Sequence, residues 1–144
     1  MVTTDMIISK VDIARAQLDT AIQFYLDKSN LISAITLAGA AEEILGNLVK
    51  QQDKSNALED EIDVICYIHK EIHGNDPNRK EYVDVRNGIR NEFKHLCSGK
   101  PLDVNLDFEA GKLIDRAINN YQKLFPGINQ RFNEFNREWL KRRT

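Results

Sequence analysis

The chain has 144 residues, 42% of them hydrophobic and 29% charged, enough for one domain (1-144) that buries roughly two-thirds of its unfolded surface. That apolar fraction excludes disorder. Twenty basic residues against 22 acidic ones leave a formal net charge of -2, so no field of the whole molecule draws it to nucleic acid or membrane, and any anion binding has to be local.

The N-terminal stretch MVTTDMIISKVD carries acidic residues where a signal peptide would be positive, which makes a cytoplasmic location the expectation. The first helix is predicted from about Thr4 or Asp5 to Asp27, with Ile8, Val11, Ala14, Leu18, Ala21, Ile22 and Tyr25 as its apolar stripe. Ser29-Asn30 then supplies a turn and an N-cap. The second helix, Leu31 to about Lys50, is apolar around most of its circumference and belongs in the middle of a bundle. Glu42 projects beside Leu31, Ile35 and Val49, so it is expected to be partly embedded and to need a partner, Arg90 or Arg86. Glu43 is read as solvated. No run of about 18 apolar residues occurs, so neither a spanning helix nor a membrane partner is expected.

A third helix follows, about Ala57 to His73, with Leu58, Ile62, Ile65, Cys66, Ile68 and Ile72 as its apolar set and Gly74 as its stop. GNDPNRK is a loop. The fourth helix runs from about Lys80 to Cys97. After SGKPLDVNLD, Asp107 is expected to cap a fifth helix carrying Phe108, Leu113, Ile114, Ala117, Ile118, Tyr121 and Leu124, which Pro126-Gly127 ends. A short sixth, about Ile128 to Leu140, places Phe132, Phe135 and Trp139 on one packing side. Cys66 and Cys97 are expected as reduced thiols rather than a disulfide. The architecture expected is an all-α, up-and-down helical bundle: a four-helix core of the first, second, fourth and fifth helices, with one or two extra helices packed alongside.

The fourth helix carries the chemistry. At about 100° per residue, Tyr82, Val85, Ile89, Phe93 and Leu96 form its apolar stripe. Arg86, Arg90 and Lys94 step by four along one flank, while Asn87, Asn91 and His95 step by four on the side turned away from the core. An arginine can hold a phosphate through two nitrogens, and a histidine can take or give a proton near neutrality. Those two roles suffice for breaking an RNA strand by attack of the 2′-hydroxyl on the adjacent phosphorus, without a metal or other cofactor. Five residues along a straight helix put Arg90 and His95 about 140° apart, so they converge only if the helix bends, if the arginine reaches round, or if a second subunit completes the site across a two-fold axis.

Arg90, Asn91 and His95 form an Arg-polar-x3-His pattern that resembles the HEPN superfamily (higher eukaryotes and prokaryotes nucleotide-binding domain). The resemblance spans most of the chain as an HEPN-like fold, but its specific motif is these six residues; SAITLAGAAEEILG on the second helix also looks like bacterial HEPN-type sequences. It implies a metal-independent ribonuclease acting on RNA, a homodimer with a composite site, and a toxin–antitoxin or defence role in which an antitoxin protein is the partner. In those terms His95 is the general acid/base, Arg90 holds the phosphate and Asn91 orients the site. Arg86, Asn87 and Lys94 widen the substrate-binding surface, and Glu42 supports Arg90. The alternative is a catalytically inactive helical module that dimerises and binds a partner or nucleotide. Cys66, His69 and His73 share a face of the third helix and are metal-ligand types. His69-Lys70-Glu71-Ile72-His73 lacks the glutamate that must follow the first histidine of the zinc-protease motif, so a core cysteine with surface histidines is expected there, and no metal.

Overall fold

Among the described residues six helices form, and five of them begin at an asparagine whose side-chain oxygen accepts a hydrogen bond from a backbone N–H of the first turn. The computed structural model describes residues 5–95 and 99–144. Within them the chain is an all-α bundle with no strand. The helices are α1 (Lys10–Leu26), α2 (Leu31–Gln51), α3 (Ala57–His73), α4 (Arg79–Lys94), α5 (Leu106–Leu124) and α6 (Gln130–Arg143). Asn30, Asn56, Asn78, Asn105 and Asn129 cap α2 to α6, and Asn56 forms a reciprocal capping box with Glu59. A short carboxamide satisfies an N–H that the helix cannot pair internally. These caps set boundaries that periodicity alone misplaces. Asn105 starts α5 instead of Asp107. α1 starts at Lys10, because the Ser9 hydroxyl accepts from the Asp12 N–H at 3.0 Å, and Ile8 is left outside, half exposed. Gly74 ends α3 in the left-handed conformation, φ 75°, as the sequence predicts. Thr4, Leu96 and Cys97 lie outside the described residues.

The core is a cluster from α1, α2, α5 and α6. α2 packs chiefly on α5 and α1, with Ala34, Ala38 and Ala41 fully buried; such small side chains let neighbouring backbones approach closely. α6 takes the place expected for α4. Its Phe132, Phe135 and Trp139 are buried, with the Phe135 and Trp139 rings 5.1 and 6.4 Å from that of Tyr25. Trp139 packs so closely on α5 that a Cβ on Gly111 would clash with its ring. By length and composition α2 is apolar enough to cross a membrane, but in this fold its apolar surface meets α1 and α5.

α3 and α4 form a looser layer against this core. α4 buries no residue fully, and α3 only Ala57 and Ile62. Ile68 and Ile72, expected to face the core, are 49% and 69% exposed, because α3 meets α5 and α4 only along a narrow strip. One polar residue ties three helices together. Asn120 of α5, fully buried, accepts from the Ala57 N–H of α3 at 2.7 Å and donates to the Glu42 carbonyl of α2 at 3.3 Å.

Candidate functional site between α2 and α4

Three cations on α4 meet three acids on its neighbours. Arg90 Nη1 donates to Glu42 Oε2 at 2.8 Å, Lys94 Nζ to Glu43 Oε2 at 2.8 Å, and Arg86 Nε stands 4.0 Å from Glu61 Oε2 of α3. The cation ladder therefore faces the bundle instead of flanking the face that does. Val85, expected in the apolar stripe, is 75% exposed, while Ile89 and Phe93 pack on the core only in part. The physical reason lies on α2 and α3: Glu42 sits in a core-facing position, and a buried carboxylate strongly favours a cation over an apolar neighbour. α4 has rotated to supply it. The pair is well enclosed, with side-chain exposures of 11% for Arg90 and 3% for Glu42, and the partner expected for Glu42 is the one found. Gly39 of α2 makes room for it, since a Cβ there would come within 2.7 Å of Arg90 Cγ.

Of the ladder expected to face outward, Asn91 and His95 are exposed but Asn87 turns inward. Asn87 lines a cavity of about 350 Å³ between α2, α3 and α4, together with Glu42, Glu43 and Arg90, and its side-chain oxygen is buried without a hydrogen-bond partner. Asn91 lies on the exposed side of α4. His95 is no longer helical. Its N–H closes a last bond to the Asn91 carbonyl at 2.9 Å, but its own backbone is extended, at φ -137° and ψ 153°. Glu43 is solvated as expected, its side chain 44% exposed, and it is also paired with Lys94. The hydrogen bond from Lys94 comes first in holding its carboxyl below the usual range, opposed by burial and aided by the charges of Arg90, Lys94 and His95.

Two residues of this region escaped sequence reasoning. Arg116 of α5 is fully buried, its Nε 3.9 Å from Glu42 Oε1 and its Nη1 3.7 Å from Glu61 Oε2. Asn120 is the other. Both carried a signal, because Arg116 falls three residues after Leu113 and Asn120 three after Ala117, at core-facing steps of α5. On α3, His69 engages Tyr82 Oη at 3.1 Å and Asn75 Oδ1 at 3.2 Å through its two ring nitrogens, and its ring lies 4.6 Å from that of His73. Cys66 is a half-buried free thiol. Among the described residues no three side chains of metal-ligating type gather at one point.

Chemically, the α2–α4 edge offers a guanidinium and an ammonium on two carboxylates, with an imidazole next in sequence at the end of α4. Compared with protein-family models, curated proteins and solved structures, the chain finds no match in any of the three.

Proposed function

We propose that the chain is a metal-independent ribonuclease of the HEPN type, acting as a homodimer, with His95 as the proton-transfer group. One observation supports this reading: Arg90 and Lys94 hold the neighbouring carboxylates Glu42 and Glu43 of α2 at 2.8 Å each, and His95 follows directly where the helix has ended, although a straight helix would hold Arg90 and His95 well apart. Ending α4 at Lys94 removes that constraint. In the reaction, His95 takes the proton of a ribose 2′-hydroxyl as its oxygen attacks the adjacent phosphorus. The bond from phosphorus to the 5′-oxygen breaks, that oxygen takes a proton from solvent water, and the protonated His95 returns its proton to the resulting hydroxide, leaving a 2′,3′-cyclic phosphate and a 5′-hydroxyl. Arg90 and Lys94 steady the charge that builds on the phosphoryl oxygens. Asn91, on the outer side of α4, is the residue that a second copy would face. A toxin role with an antitoxin protein as partner belongs to the same reading.

A second reading has its own support. Arg86, Arg90 and Lys94 each have an acid of α2 or α3 beside them, which is what a helix held on by charge requires, and it makes the chain a silent helical dimerisation or binding module.

The discriminating experiment is cleavage of a 5′-labelled RNA in EDTA by wild type, His95→Ala and Arg90→Lys. The nuclease reading expects cyclic-phosphate products from wild type and a loss of about 100-fold or more in His95→Ala. His95 is exposed, so its replacement leaves the fold intact. Arg90→Ala would take from Glu42 the cation that it holds at 2.8 Å, leaving it Arg116 at 3.9 Å, and the lysine variant keeps a charge in place of Arg90. Equal cleavage by all three proteins, or none by a folded wild type, would leave the module reading standing.

A further inference from the structure

Among the described residues Arg116 is the largest side chain that the fold buries completely, and none of its guanidinium nitrogens has a hydrogen-bond partner among them. Two carboxylates flank it, Glu42 at 3.9 Å and Glu61 at 3.7 Å, each roughly 1 Å beyond hydrogen-bond distance. Both are shared. Glu42 already holds Arg90 through its other oxygen at 2.8 Å, and Glu61 stands 4.0 Å from Arg86. Three guanidinium groups therefore compete for two carboxylates, and only the Arg90 contact has hydrogen-bond length. Asp115, next along α5, feels Arg116 electrostatically but makes no hydrogen bond to it. A buried cation with its donors unmet is costly. The cost falls if an outside anion takes Arg90, because Glu42 can then close on Arg116.

We propose that Arg116 is a positioning residue for Arg90: Glu42 passes from Arg90 to Arg116 when Arg90 turns to a phosphate of the substrate. The free protein keeps Arg90 latched. Substrate phosphate replaces Glu42 on Arg90, and Arg116 gains the hydrogen bond that it lacks. The handover rests on the reading of Arg90 as a phosphate ligand, and it assigns to a side chain that cannot touch RNA a share in binding it.

The test measures binding of a 2′-O-methyl RNA 12-mer, whose capped hydroxyls prevent cleavage, as a function of salt. One phosphate contact contributes about 0.7 to the slope of log K against log salt on a single strand. Arg90→Ala lowers the slope by about that amount. The handover requires folded Arg116→Met to lower it equally, since Glu42 then has nowhere else to go, and requires Glu42→Gln combined with Arg116→Met to restore it, since an uncharged side chain no longer holds Arg90. A purely structural Arg116 would leave the slope unchanged and show no such rescue, and that result overturns the proposal. Where Arg116→Met does not fold, the wild-type Arg116 Nε–H signal in a ¹H–¹⁵N spectrum decides. It moves downfield on saturation with the 12-mer if Glu42 closes on it, and an unmoved signal sinks the idea. A slope unaffected by Arg90→Ala removes the phosphate role of Arg90 and the handover with it, whereas a lowered slope there with an intact one in Arg116→Met defeats the handover alone.

Discussion

At the scale of single residues, the polar groups that matter are those the core encloses. Glu42 was legible in the sequence because a glutamate among Leu31, Ile35 and Val49 on one helical face has to be embedded and has to be paired. Arg116 obeyed the same rule, yet its long stem reads as surface until α2 is seen to lay Glu42 beside it. Tyr25 is a third case, with an uncharged group. Its hydroxyl is buried without a hydrogen-bond partner, and burial pushes its pKa up to about 12 against the pull of Arg142, whose guanidinium lies 4.0 Å from the ring centre. A tyrosine pKa raised above its unfolded value of about 10 contributes stability that is whole below pH 10 and is lost as pH rises through about 12. Tyr25→Phe should therefore flatten the alkaline limb of the unfolding profile over that window. At pH 7 the same variant should be as stable as wild type or up to about 1 kcal/mol more stable, because it removes a polar atom with no partner. Urea titrations at pH 7 and pH 11 check both, and a loss of more than about 1 kcal/mol at pH 7 would show a hydrogen bond at that hydroxyl.

At the scale of elements, periodicity located every helix, and local chemistry set the ends. Asparagine immediately before an amphipathic run recurs at Asn30, Asn56, Asn78, Asn105 and Asn129, and where Asp107 was preferred to Asn105 the predicted start was late. The orientation of α4 departs from its hydrophobic projection for a deeper reason. A hydrophobic projection assumes that the face meeting the bundle is apolar, whereas α4 meets a surface made acidic by Glu42, Glu43 and Glu61, so its cations turn inward and Val85 turns out. α6 was underrated in the opposite direction: its three aromatics were recognised as packing residues, but not as completing the core. Its seat depends on one glycine. Gly111→Ala would drive a methyl into the Trp139 ring, and the resulting overpacking should cost about 1–3 kcal/mol. Because Trp139 is the only tryptophan, the expected signs are a lower Tm and native fluorescence shifted to the red. Unchanged emission and Tm would mean that α6 does not depend on this contact.

At the scale of the whole molecule, the chain divides into a dry core of α1, α2, α5 and α6 and a layer of α3 and α4 held by caps and charges. Hydrogen exchange should resolve the two. Amides of α2 and α5 are expected to exchange only through global unfolding, and those of α4 through a smaller opening that grows easier as salt screens the exposed Lys94–Glu43 pair. Uniform protection along all six helices would contradict this. The division also bears on function, since the proposed site lies where the looser layer meets the core and His95 stands at the end of its last turn. The sequence by itself determined the all-α class, the number of helices and the need of Glu42 for a cation, because periodicity, capping and the cost of a buried charge act within one helix or at one residue. Only the tertiary structure decided which four helices make the core, which way α4 turns and that Arg116 shares Glu42 with Arg90. Those outcomes depend on which surfaces meet across the fold, and a helix whose partner is acidic turns its cations, not its valine, toward the bundle.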